Sequence, residues 1–249
     1  QKEFSAGDIP VTSGGWYAFD SSDPRMIGYD YCTPDYIMGS LLIDPKLPRV
    51  ESWVGSDLKE GYPALTCQNR YHAIVFSSNM NARVVPQCEG LGNRKTYGEQ
   101  QAVQHRNVLL VQRHAKSKTT GDMRVIWGSK GMRSRIVEMD GWMILQEGDA
   151  WLGVKGFSRT KVNEPCGSIW DNDVILRMND GKAPVAFVAG RIKDFSNIDA
   201  FTKYLHGFTG KLEKGRFILT EGSKDFLSLH LESGALPEIY GKPINLNPD

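Results

Sequence analysis

The chain has 249 residues, of which 40% are hydrophobic and 24% charged, the balance of a protein that folds around a core and not of an intrinsically disordered one. Thirty Lys and Arg stand against 29 Asp and Glu, a formal charge of +1, so no global field draws in nucleic acid or an anionic membrane. No apolar run reaches the roughly 20 residues that cross a bilayer, no Cys/His spacing suits a metal, and no nucleotide-binding glycine motif, GxSxG or HExxH is present, so neither metal nor cofactor is expected.

Residues 1–35 carry turn formers, Ser13-Gly14-Gly15 and Ser21-Ser22-Asp23-Pro24, and few strand signals, which predicts an irregular lead-in there. From 36 to 249 a single antiparallel β-sandwich domain is expected. Strand-like runs recur at 37–43, 71–77, 82–87, 108–114, 123–127, 135–139, 142–146, 150–157, 173–178, 185–192, 216–220 and 226–231, separated by Gly, Asn, Asp and Pro. Many short runs at such intervals mark stacked antiparallel sheets, a sandwich or supersandwich. Hairpins are expected at Glu147-Gly148-Asp149, as a three-residue connection, at Asn179-Asp180-Gly181-Lys182 and at Glu221-Gly222-Ser223-Lys224-Asp225. Val108-Leu109-Leu110-Val111 and Ala186-Phe187-Val188-Ala189 lack alternation, which predicts central strands covered on both faces. One short helix is expected near 196–206, opening with Ser196 and Asp199 in capping-box spacing, carrying Ile198, Phe201, Tyr204 and Leu205 at helical spacing, and ending at Gly207. Cys32, Cys67, Cys88 and Cys166 permit one or two disulfides in an oxidising compartment, or four buried thiols.

Polar constellations supply the candidate site residues. If 68–73 is extended, Gln68, Arg70 and His72 share one face and Tyr71 lies on the other. The first three suit a carboxylate or sulfate through charge-assisted hydrogen bonds, or are only the polar end of a strand. Around 104–114, extension throughout would align His105 with Asn107 and Arg113, and Arg106 with Gln112 and His114. A basic surface including Arg106 and Arg113 reads equally as solvated strand edges. Tyr31 and Tyr36 are either stacking platforms for sugar rings or packed tyrosines at a sheet corner. Carboxylates for glycoside hydrolysis could come from Asp30, Asp35, Glu138, Asp140, Glu147 or Asp149, but no spacing singles out a pair.

Tyr31-Cys32-Thr33-Pro34-Asp35-Tyr36-Ile37-Met38-Gly39, Gln68-Asn69-Arg70-Tyr71, Ala82-Arg83-Val84-Val85-Pro86-Gln87, Gly148-Asp149-Ala150-Trp151-Leu152-Gly153-Val154 and the run from Phe226 to Pro237 together resemble the β-sandwich domain of heparinase II/III-like proteins, polysaccharide-active enzymes in which a helical toroid precedes stacked antiparallel sheets. The resemblance covers most of the chain from about Tyr29, but the sequence given contains no toroid. It implies a carbohydrate-associated module, secreted or periplasmic, that contacts an acidic polysaccharide or supports a catalytic toroid domain or chain. Gln68, Arg70, His72, His105, Arg113, Tyr31 and Tyr36 are the expected substrate contacts, and His72, His105 and Tyr71 the candidates for catalysis. Two alternatives stand beside it: a self-sufficient polysaccharide lyase or glycoside hydrolase, with Tyr or His taking the proton beside a uronate carboxylate, and a structural or protein-interaction sandwich.

Overall fold

The computed structural model describes residues 13–20, 23–43, 75–78, 83–88, 100–113, 123–128, 136–157, 164–167, 173–179, 183–231 and 235–244. Among them three antiparallel sheets and one helix form an all-β fold. The first sheet runs in the order β1 (Ser13–Asp20), β2 (Asp23–Cys32), β3 (Tyr36–Ile43), β4 (Val75–Ser78), β5 (Arg83–Cys88), β8 (Met123–Gly128), β13 (Asp173–Asn179), β12 (Glu164–Gly167). The middle sheet runs β6 (Gln100–His105), β7 (Val108–Arg113), β14 (Val185–Arg191), β11 (Ala150–Gly156), β10 (Trp142–Glu147), β9 (Ile136–Met139). The third sheet is a meander of β15 (Phe208–Glu213), β16 (Arg216–Glu221), β17 (Lys224–His230), β18 (Glu238–Ile239) and β19 (Lys242–Pro243).

Side-chain alternation explains the layering. Leu109 and Val111 of β7, Met143 and Leu145 of β10, Leu152 and Val154 of β11 and Phe187 of β14 join Tyr31, Tyr36, Met38 and Val125 in a core between the first and middle sheets. Their neighbours Val108, Leu110, Trp142, Ile144, Trp151 and Val188 point the other way, into a core shared with Phe208, Phe217, Leu219, Phe226, Leu227 and Leu229 of the third sheet. A strand whose odd and even positions both enter a core has no polar face to display, which is why 108–111 and 186–189 read as unbroken apolar runs.

Helix α1 (Ile198–Leu205) lies on the third-sheet side of the middle sheet, anchored by Phe201 and Leu205. Two strand glycines leave room for it. A Cβ on Gly153 would sit 2.7 Å from Leu205 Cδ1, and one on Gly190 2.7 Å from a Phe195 ring carbon and 2.9 Å from one of Phe201. The cap falls one residue later than the sequence spacing predicts: Asn197, not Ser196, is extended, and its side chain accepts from Ala200 N at 2.9 Å.

Several local expectations are corrected. Residues 13–32, read as irregular, hold the β1–β2 hairpin, whose glycines are accommodated by pairing along a long register. Glu147 pairs with Ala150, so the β10–β11 connection is the two residues Gly148-Asp149, with φ +56° at the glycine. Glu221 likewise pairs with Lys224. The segment after β13 closes no hairpin, because β13 belongs to the first sheet and β14 to the middle one. Arg106-Asn107 is a turn, with φ +52° at Arg106, so 104–114 is not extended throughout and its expected face sets dissolve.

Candidate functional site

Those sequence-derived site residues that are among the described residues do not assemble into one constellation. Gln68, Arg70, Tyr71, His72 and His114 lie outside the described residues. Arg113 ends β7, opposite Gln100. Tyr31 and Tyr36 are 7% and 4% exposed, with ring centroids 6.2 Å apart, inside the core between the first two sheets. A ring enclosed on both faces cannot stack on a sugar, so the platform reading of this pair gives way to packing. Burial, reinforced by the neighbouring Tyr31 and Tyr204, pushes the Tyr36 hydroxyl far above the ordinary phenol value.

The candidate carboxylates are likewise engaged or spread out. Asp35 pairs with Arg191 at the end of β14, and Asp140 lies 2.8 Å from His206 Nε2. A Ser/His/Glu grouping the sequence did not reveal lies on the third sheet. There Glu238 accepts from Arg216 at 2.6 Å and from Ser228 Oγ at 3.1 Å, with His230 Nε2 3.6 Å away. The serine hydroxyl donates to the carboxylate and not to an imidazole, so this is a structural knot and not an activated nucleophile.

Among the expected contacts that are described, His105 joins a surface cluster, built where three hairpin turns meet. Its ring, at the end of β6, stands edge-on to Phe226 of β17 and to Tyr240 of the β18–β19 turn, both at 5.7 Å. Phe226 and Tyr240 are 5.1 Å apart, and the Tyr240 N–H donates to Phe226 O at 2.7 Å. Arg106 follows in the β6–β7 turn, and Glu221 ends β16. Gln104 Nε2 closes the first turn by donating to Arg106 O, and also to Met38 O of the first sheet, each at 3.0 Å. Asn107 Nδ2 fastens the turn to Ala189 O at 2.6 Å and Tyr204 Oη at 3.2 Å.

Tyr240 is 48% exposed and has φ +50°, followed by Gly241 at +73°. That pair of angles is the two-residue hairpin turn usually filled by Asn-Gly or Asp-Gly, and a bulky side chain in its first position is uncommon. Arg106 is a second left-handed non-glycine in the same cluster. Two turns therefore accept unfavourable backbone to display an aromatic and a guanidinium together.

Burial and neighbouring charges displace two pKa values in the cluster. Partial burial, then the nearby Glu221 carboxylate with which it hydrogen-bonds, raises the Tyr240 pKa, partly opposed by Arg106, so the hydroxyl keeps its proton and donates. Burial and then Arg106 lower the His105 pKa, against a weaker opposing effect of Glu221. The sign has a consequence for stability. With the folded value below the unfolded 6.5, the unfolded chain binds the proton first on acidification, so this contribution is present above about pH 6.5 and is lost as pH falls through the folded value. Comparing unfolding midpoints from neutral pH down to about 5 should show wild type losing more stability than His105→Gln, and parallel curves would refute it.

Comparison with known proteins found no match among family models, curated proteins or solved structures.

Proposed function

We propose that the chain is a carbohydrate-associated β-sandwich module of a polysaccharide-degrading enzyme, secreted or periplasmic, similar to the sandwich domain of heparinase II/III-like proteins and working beside a helical toroid. The observation that carries the reading is the Tyr240 ring, half exposed in a left-handed turn and flanked by Arg106, Glu221 and His105. A pyranose presents axial C–H groups on one face and hydroxyls around its edge. An exposed aromatic with a guanidinium on one side and a carboxylate on the other answers both. A uronate would add a charge-assisted bond to Arg106. Tyr240, held protonated, is not suited to abstract a proton as the base of a lyase, so in the self-sufficient lyase reading Tyr71, His72 or His105 would take that role.

A screen of immobilised acidic and neutral polysaccharides tests the proposal. Tyr240→Asn should weaken binding about tenfold or more, the scale of losing a central aromatic contact. Asn suits the left-handed turn, which offsets part of the lost ring packing, so the variant should remain folded. Wild type that retains no polysaccharide, or Tyr240→Asn that binds as wild type does, would overturn the assignment. New absorbance from an unsaturated product would favour the self-sufficient lyase instead.

A further inference from the structure

A groove of about 400 Å³ opens where the loop before α1 crosses the end of β10 and β11. The buried Ile144 and Trp151 form its floor, the half-buried Ile192 and Ile198 its sides, and the exposed Gln146, Ser196 and Asn197 its rim. It lies on the same face of the middle sheet as His105 but toward the opposite edge, β9 instead of β6. At strand spacings of about 4.8 Å the two edges are roughly 24 Å apart.

The lining is specific in three ways. Its floor is pre-set: Trp151 stacks on Phe201 at 5.6 Å and spends its indole N–H on Phe195 O at 3.2 Å, so the ring cannot turn to follow a ligand. Its rim offers amides: Asn197 uses only its carbonyl oxygen to cap the helix, and neither its NH2 nor the exposed Gln146 amide hydrogen-bonds to any described residue. Its described lining is uncharged, since no Asp, Glu, Lys, Arg or His among the described residues lines it. A charged ligand would lose hydration here and find no counter-charge, and an unsubstituted hexose, whose hydroxyls Gln146, Ser196 and Asn197 can meet, would present no methyl group to Ile144, Ile192 and Ile198.

The geometry points to a binding site for one N-acetylated sugar ring, with the acetamido methyl against Ile144, Ile192 and Ile198 and the acetamido N–H and C=O paired with the rim amides of Gln146 and Asn197. The volume lies within the range of small-ligand sites, about 300–1,000 Å³. Val137, 44% exposed at the groove's edge, would be covered by the same ring. The site is independent of the Tyr240 cluster and stands whether or not that cluster binds sugar.

Titrating the isotope-labelled chain with N-acetylglucosamine, glucose and glucuronate, and following the Trp151 indole and the Gln146 and Asn197 side-chain amides by NMR, reads this site alone. N-acetylglucosamine should shift them saturably, with glucose and glucuronate about tenfold weaker or worse. Asn197→Asp keeps an oxygen to cap the helix, and Gln146→Glu is isosteric and exposed, so both should fold while losing about tenfold in affinity to the charge they introduce. Tyr240→Asn should leave the titration unchanged. The assignment falls if wild type shows no saturable shift, if glucose or glucuronate binds as tightly, if both charge variants bind as wild type does, or if Tyr240→Asn abolishes the response.

Discussion

Asp35→Ala should destabilise the protein by about 3–5 kcal/mol, and Asp35→Leu combined with Arg191→Met should recover most of that loss. Arg191 ends β14 with its side chain 9% exposed, and its Nε donates to Asp35 Oδ2, itself 16% exposed. Its Nη1 is buried with no hydrogen-bond partner among the described residues. Guanidinium does not shed its charge at any pH a protein survives, so removing Asp35 strands a cation between the first and middle sheets. Replacing both partners by apolar groups removes the stranded charge along with the pair. Asp35 is held in place by Thr33, whose Oγ1 accepts from the Asp35 N–H at 3.2 Å and the Tyr36 N–H at 2.9 Å while donating to Tyr36 O at 2.9 Å. Urea unfolding of Asp35→Ala and of the Asp35→Leu/Arg191→Met double variant checks this. A midpoint for Asp35→Ala equal to wild type, or a double variant no more stable than the single, would show that the pair does not latch these sheets.

Phe201→Ala should cost about as much, roughly 3–5 kcal/mol, by a different route. Phe201 is fully buried, stacked on Trp151 and edge-on to Phe195 at 5.2 Å, against the position where Gly190 lacks a side chain. Truncation leaves a cavity that the surrounding rings cannot close, because Trp151 is fixed by its own hydrogen bond to Phe195 O. An eight-residue helix is too short to persist by itself and depends on this anchor. Amide exchange within 198–205 should therefore quicken along with the drop in global stability. A loss under about 1 kcal/mol with exchange unaltered would mean that Leu205 alone holds the helix.

Strand periodicity made most of the architecture legible, and the limits of that signal explain the rest. The all-β stacked arrangement and the helix at 198–205 followed from alternating, unbroken or helically spaced apolar residues, and the doubly apolar strands β7 and β14 lie in the middle layer. Among the strands missed are β1 with Gly14-Gly15, β6 with its three glutamines, and β15, where only Phe208 is buried and the residues from Thr209 to Glu213 face solvent, none of which alternates cleanly by polarity. Pairing between sheets and edges decided those, and no local pattern reports it. Of the site, His105 was visible, but its partners were not. Tyr240 and Glu221 reach it only through the pairing of the third sheet, and a tyrosine before a glycine reads as an ordinary turn until its φ is known.

The layering also bears on the order of synthesis. The third sheet is drawn from residues 208–243 as consecutive hairpins, whereas every strand of the middle sheet precedes it in the chain. A nascent chain paused before residue 208 can therefore assemble the middle sheet with α1 over Trp151 but with the β6–β7 side of that face, Val103, Val108 and Leu110 among it, not yet covered by the third sheet. An apolar surface of that extent is a target for chaperones or for another nascent chain. Because neighbouring strands close quickly, the late meander is the kind of lid that shortens the exposure.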